Sequence, residues 1–470
     1  MTVLDRIMVA VALATALWWA LSRQRRPAAL EALSFAALAL ALATLVVEGL
    51  HWQLVPWQVL ALAIATAAAL RRFRPGHSRR WRRVVGRSVL ALGLAVGGVA
   101  LLTAFVPALP EPSGPHRVGS EIFRWTDGQR PETLTANAAD KRQVIAQAWY
   151  PTEASAGAAV PYFEAQGRLP GSIAGMPIFM FHSFSGVQTH ATAGDPVSSA
   201  QRSWPILFFS PGLSIPREMY TALCVDLASR GYVVVALSVP YESAVSVLAG
   251  REVVGQTTHP DVMGSPPHPA LERLIAIRTA DASFALGQLG RLAQVNPDSP
   301  LAGHLDMQHV GVAGHSLGGA TAVQLMASDR RFKVGVDLDG KLFGTEPASH
   351  LDRPFLWIQS ADAPSAEYLQ GRDLLLDGLR DGGALVTVRG STHMSFSDGP
   401  SYLTARGRSL AGGSAFGSIS VADMTAITGD TIAAFVGPAL GVKHGASLAQ
   451  VLARHPTVRS DRRIATEATS

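Results

Sequence analysis

The sequence predicts an α/β fold, a mostly parallel sheet with helices on both faces, preceded by about four transmembrane helices. Three observations carry that expectation. Charged residues make up only 16% of the 470 positions and hydrophobic ones 48%, where a soluble domain carries about 25% charge. The shortage is local, because four long apolar stretches fill the first 110 residues. From residue 118 the period changes, and short apolar runs alternate with amphipathic ones, as in a parallel sheet covered on both faces.

The apolar stretches run over about Ile7–Leu21, Leu33–Val47, Leu54–Leu70 and Val89–Phe105. With their flanks, each approaches the ~20 residues that a spanning helix needs. Trp18, Trp19, Trp52 and Trp57 sit near their ends, where amphipathic rings favour the membrane interface. Residues 1–110 hold 12 Lys and Arg against 3 Asp and Glu, a net charge of +9. The whole chain is +5, so the basic excess belongs to its first quarter, which argues against a nucleic-acid-binding domain. Arg23, Arg25 and Arg26 follow the first stretch, and eight arginines from Arg71 to Arg87 separate the third from the fourth. Only Glu48-Gly-Leu-His51 joins the second to the third. The positive-inside rule puts both Arg-rich loops in the cytoplasm. The expectation is a multi-pass cell-membrane protein, partnered by the lipid bilayer, whose later residues face outside the cytoplasm. A cleaved signal peptide ending near Ala20-Leu21-Ser22 is the rival, but it would strand Arg23–Arg26 on the outer face.

Residues 111–118 read as a Pro-rich linker, 119–440 as a catalytic domain and 441–470 as a loosely ordered polar tail. Val118–Trp125 and Arg142–Tyr150 predict an antiparallel strand pair. Ala154–Pro205 reads as insertion and loop, being rich in Ala, Gly and Ser. Pro205–Phe209 then predicts a strand, Glu218–Arg230 a helix, Tyr232–Leu237 a buried strand and Leu271–Ala293 a long helix. Val310–Ala313 predicts a strand and Gly318–Ala327 the helix after it. Phe332–Val336, Pro354–Gln359 and Ala384–Val388 complete the strands, with helix Ala366–Leu379 between the last two.

The sharpest motif is Gly314-His315-Ser316-Leu317-Gly318-Gly319, a Gly-x-Ser-x-Gly between a short strand and a helix. Such a turn lifts a serine hydroxyl above the sheet edge in a strained backbone conformation. No lysine follows in Walker position and there is no Gly-x-Gly-x-x-Gly, which disfavours a nucleotide site. A nucleophilic Ser316 needs a base, and the base needs a carboxylate. Among His350, His393, His444 and His455, only His393 follows a late strand directly, in Val388-Arg-Gly-Ser-Thr-His393. For the acid, spacing divides the role evenly between Asp339 and Asp362, with Asp337 a minor third.

Four segments carry a resemblance to a family. They are Ile206-Leu-Phe-Phe-Ser210-Pro-Gly-Leu213, Asp226-Leu-Ala-Ser-Arg-Gly231-Tyr-Val-Val234, Gly314-His-Ser-Leu-Gly-Gly319 and Val388-Arg-Gly-Ser-Thr-His393. Over roughly residues 118–400 the sequence resembles the platelet-activating-factor acetylhydrolase-like lipases, within the α/β-hydrolases. The resemblance implies a carboxylic-ester hydrolase with no cofactor, acting on a lipid or short-acyl ester. It favours Asp339, which precedes Gly340, as the acid, and leaves Asp362 as the alternative. It also implies an oxyanion hole made by the Leu213 and Leu317 N–H groups. These enzymes usually carry Ser-His-Gly where this chain has Ser210-Pro211-Gly212, which puts loop shape and acyl preference in question. An acyltransferase or peptidase on the same triad, or a non-catalytic membrane scaffold, are the rival functions.

Other groups invite a function. His259, Asp261 and His268 have metal-ligating side chains, but a Pro-rich insertion favours solvated residues, and no metal is expected. His182 and His190 could line a substrate mouth. Met176, Phe179, Met180 and Phe181 form a cluster that reads as core packing or as a lid.

Overall fold

The computed structural model describes residues 2–464 other than 22–27, 74–79, 104–106, 166, 170–171, 174–175, 178–180, 182–183, 185, 263, 265, 344–350, 363–364, 380–381, 411–415 and 443–444. The chain forms two compact units.

The first unit comprises Met1–Ala108, Pro177–Val187 and Ser401–Ala411. Its helices are α1 (Val3–Leu21), α2 (Ala28–Val47), α3 (Val55–Phe73) and α4 (Arg80–Thr103). Small side chains fill the inside: Ala12, Ala16, Ala37, Ala61 and Ala68 are nearly inaccessible. Large ones point outward, with Leu17, Leu42, Leu62 and Leu92 at 46%, 55%, 53% and 65% exposure. Small residues let helices approach closely. Gly97 lies against the Trp57 ring, with no room for a Cβ, and Trp57 Nε1 donates to the Gly97 carbonyl at 3.0 Å. Trp19 Nε1 likewise donates to Ser34 Oγ at 3.0 Å. Phe181, Phe184 and Tyr402 form an aromatic cluster in this unit, and Thr404 Oγ1 donates to the Leu102 carbonyl. The cluster expected around Met176–Phe181 thus contributes a buried Phe181 here, while Phe179 and Met180 fall outside the described residues.

Four spans were expected, and among the described residues two helices, α1 and α2, are long and apolar enough to cross a membrane. The arginines at the end of α3 and the start of α4 leave shorter apolar runs, Val55–Leu70 and Gly86–Leu102. Arg23–Arg26, on which the orientation partly rests, lie outside the described residues.

The second unit is built on a ten-stranded sheet. Its strands are β1 (Arg117–Pro131), β2 (Lys141–Thr152), β3 (Ala191–Ala193), β4 (Trp204–Ser210), β5 (Val233–Leu237), β6 (Leu305–His315), β7 (Phe332–Leu338), β8 (Phe355–Ser360), β9 (Gly383–Val388) and β10 (Val458–Ile464). They lie in the order β10-β9-β8-β7-β6-β4-β5-β2-β1-β3. Strands β5 to β9 with β4 run parallel, while β2 pairs antiparallel with both β1 and β5. Every residue of β4 and β5 is buried, which explains their unbroken apolar sequences: a parallel strand covered on both faces has no solvent side. The covering helices include α5 (Thr221–Ser229), α6 (His268–Leu289), α7 (Leu317–Ser328), α8 (Ala366–Gly378) and α9 (Val421–Ala439). Trp204, Phe208, Phe332 and Trp357 anchor the core and are fully buried.

The segment expected as a loose tail is ordered in part. It forms α10 (Leu448–Arg454), capped by Ser447, and then β10, which pairs antiparallel with β9. Its polar sequence hid a strand because an edge strand needs one paired side and no unbroken apolar run.

Candidate active site

The parallel strands end at one edge of the sheet, where an open α/β sheet collects its functional loops. Strand β6 runs through His315 and α7 begins at Leu317, so Ser316 occupies the single residue of the turn. Its φ of 57° and ψ of −121° lie where a side chain is strained. Two glycines make the turn possible. A Cβ on Gly314 would overlap the Gly318 backbone, and one on Gly319 would overlap the Asp337 carboxyl.

His393 Nε2 lies 2.9 Å from Ser316 Oγ, and His393 Nδ1 lies 2.8 Å from Asp339 Oδ2. Asp339 follows β7 in a left-handed conformation, φ 55°, which turns its side chain under the imidazole. It is 8% exposed. Ser360, the last residue of β8, grips it with its N–H at 2.8 Å and its Oγ at 3.0 Å, and Tyr368 Oη donates from α8 at 3.3 Å. Burial pushes the Asp339 carboxyl up, but the hydrogen bond and charge of His393 with the Ser360 N–H outweigh it and hold it below the ordinary range. An ionised Asp339 accepts from Nδ1–H, which leaves Nε2 free to accept the Ser316 proton.

The other acids stand elsewhere. Asp362 is exposed and accepts the His393 backbone N–H at 3.3 Å. It contacts the loop of the imidazole and not its ring nitrogens. Asp337 is fully buried, accepts the Gly340 N–H, and burial holds its carboxyl well above the ordinary range. Among the histidines, His455 pairs with Asp430 at 2.8 Å, His190 Nε2 lies 3.4 Å from the Leu109 carbonyl, and His182, His350 and His444 lie outside the described residues. Asp261 pairs with Arg273 and His268 with Glu367, so those side chains turn to separate partners.

Sequence reasoning missed the role of His315. It is buried, its Nε2 lies 2.9 Å from the His393 carbonyl and its Nδ1 2.8 Å from Tyr220 Oη. A carbonyl only accepts, so Nε2 carries the proton and Nδ1 accepts from the phenol. Burial, with the His393 ring beside it, lowers its pKa to about 3 and keeps it neutral. His315, the residue before Ser316, thus holds the backbone of His393 in place.

A cavity of about 260 Å³ opens beside Ser316 and His393. Leu213, Leu271, Leu317 and Phe343 give it an apolar wall, and Lys341 and Gln359 a polar one. The N–H of Leu317 belongs to the first turn of α7, where backbone donors and the helix dipole favour negative charge.

Residues 107–262 and 294–409 match the family described as platelet-activating factor acetylhydrolase, isoform II. The chain belongs to that family. The match covers more than half of the sequence and leaves out residues 1–106. Among curated proteins, the platelet-activating factor acetylhydrolase of Cavia porcellus is 24% identical over 317 residues, covering 63% of this chain and 71% of its own. A probable 1-alkyl-2-acetylglycerophosphocholine esterase of Arthroderma benhamiae is 29% identical over 252 residues, covering 50% and 59%. Among solved structures, a ferulic acid esterase from Streptomyces cinnamoneus superposes with a TM-score of 0.62 at 27% identity, covering 76% of this chain and all of that one. This member of the acetylhydrolase family is a carboxylic-ester hydrolase on an α/β-hydrolase fold.

Proposed function

We propose that the chain is a membrane-anchored serine hydrolase of short-acyl or lipid esters, working through Ser316, His393 and Asp339. One observation carries the reading: Ser316 Oγ stands 2.9 Å from an imidazole whose other nitrogen is 2.8 Å from a buried carboxylate. His393 accepts the proton as Ser316 Oγ attacks the ester carbonyl, and Asp339 fixes the tautomer and stabilises the imidazolium. The Leu213 and Leu317 N–H groups receive the oxyanion. The alcohol leaves with the proton from His393, and water activated by the same imidazole then releases the acid. No step requires a cofactor.

The relatives' names support a short acyl group on a glycerophospholipid, and a cavity of about 260 Å³ suits such a group better than a long chain. Two apolar helices and the outward-facing leucines of all four support membrane anchoring, because that much exposed apolar surface is unfavourable in water. Four spans with the hydrolase unit outside the cytoplasm remain our reading of the topology.

The test is labelling of detergent-solubilised protein with a fluorescent fluorophosphonate, followed by turnover of acetyl and palmitoyl p-nitrophenyl esters. Labelling should vanish in Ser316→Ala. Asp339→Asn should lower kcat by about 10⁴-fold, and Asp362→Asn by less than about tenfold. Acetyl turnover should exceed palmitoyl. Turnover surviving Ser316→Ala overturns the mechanism, and a severe loss in Asp362→Asn alone overturns the choice of acid.

A further inference from the structure

We propose that Arg278, which lies on α6 and outside the reacting groups, is a positioning residue that aims the oxyanion donor of Leu213. The inference rests on the reading of Ser316 as nucleophile and Leu213 as donor. The loop after β4, Ser210-Pro211-Gly212-Leu213, is gripped from below by one buried guanidinium. Arg278 Nη1 donates to the Pro211 carbonyl at 2.5 Å and Nη2 to the Gly212 carbonyl at 3.2 Å. The Gly212 carbonyl also closes a tight turn by accepting the Ile215 N–H at 3.3 Å. The preceding N–H of the loop, that of Gly212, donates to Tyr220 Oη at 2.9 Å, and that phenol donates in turn to His315.

Both sides of Gly212 are therefore fixed. In a trans peptide the carbonyl and the next N–H point in opposite directions, so holding the Gly212 carbonyl toward Arg278 turns the Leu213 N–H away from α6. Leu213 lines the cavity at Ser316, and in the proposed arrangement the clamp directs that N–H into it.

Only arginine serves here. Its planar fork carries five donors, and Glu242 takes the remaining edge of the guanidinium through Nε at 2.9 Å and through Nη2. Arg278 is 1% exposed and Glu242 2%. Such a pair contributes little net stability but strictly fixes geometry. Pro211 belongs to the same device. With no N–H of its own, it offers the loop only a carbonyl, and Arg278 takes it.

The full chain in detergent tests this with two variants. Arg278→Lys keeps the charge opposite Glu242 but cannot span two carbonyls. Arg278→Gln with Glu242→Gln removes both charges together, so that neither is left buried alone. Active sites are titrated, and kcat, KM, the melting temperature and the Ki of a trifluoromethyl ketone are measured. The hemiketal oxyanion of that ketone sits where the reaction's oxyanion develops. Both variants should lose about 10²-fold in kcat per active site, the effect of losing one oxyanion donor. KM should stay within about threefold, and Ki should rise in step with the fall in kcat/KM. A residue that merely supports the fold would lower the melting temperature and the number of active sites but leave kcat per site and Ki unchanged. That result overturns the clamp while the triad stands. Turnover that survives Ser316→Ala overturns both.

Discussion

Asp339 and Asp398 are both buried acids near the candidate site, and their surroundings drive them in opposite directions. Asp339 meets an imidazole and two donors from Ser360, and its carboxyl is held low despite burial. Asp398 is 2% exposed and meets the Tyr162 hydroxyl at 3.0 Å and the Ala222 N–H at 3.4 Å. Burial pushes its pKa up to about 7, and those bonds offset only part of that. A folded-state pKa raised above the ordinary value of 3.8 contributes stability that is full below pH 3.8. That stability is lost as pH rises through about 7. Asn resembles the protonated acid. The melting temperature of Asp398→Asn, less that of the wild type, should therefore climb by several degrees between pH 4.5 and 8. A difference that stays flat would mean that Asp398 is ionised throughout that range. The sequence showed Ser316 and His393 because each follows a strand in a recognisable setting. Spacing alone could not separate Asp339 from Asp362, since both follow strands; the family resemblance favoured Asp339, whose carboxylate lies 2.8 Å from His393 Nδ1. The bonds of His315, Tyr220 and Arg278 join positions far apart in the chain, which no local pattern encodes.

The elements themselves were legible wherever apolar period was strong. Strands β4 to β9 fell within a few residues of their expected places, and so did α5 to α8. Strand β10 escaped notice, because Val458-Arg-Ser-Asp-Arg-Arg-Ile464 reads as solvated chain. Its charges suit an edge, where they discourage pairing with another molecule. Ending the chain after Arg454 should remove this cover from β9 and the His455–Asp430 pair with it. The expected result is a melting temperature several degrees lower and concentration-dependent light scattering at protein levels where the full chain stays clear. Unchanged scattering and melting would show that β10 contributes nothing to the sheet's integrity.

For the whole molecule, the proposed orientation rests on charge distribution. The basic excess of the first quarter clusters in two stretches, Arg23–Arg26 and Arg71–Arg87, and an even number of spans would return the hydrolase unit to the side of the N-terminus. A phosphatase reporter fused after residue 110 should be active outside the cytoplasm, with a cytoplasmic reporter at residue 76 giving the complementary signal. Phosphatase activity confined to residue 76 would reverse the topology. The composition of the helical unit was not legible, because Pro177–Val187 and Ser401–Ala411 join it from far along the chain. The unit is thus a composite of three separate stretches of the chain. Cutting the chain at the Pro-rich linker would leave Phe181, Phe184 and Tyr402 in the hydrolase fragment without their helices. A hydrolase fragment cut there would carry the apolar surface of those two segments into water.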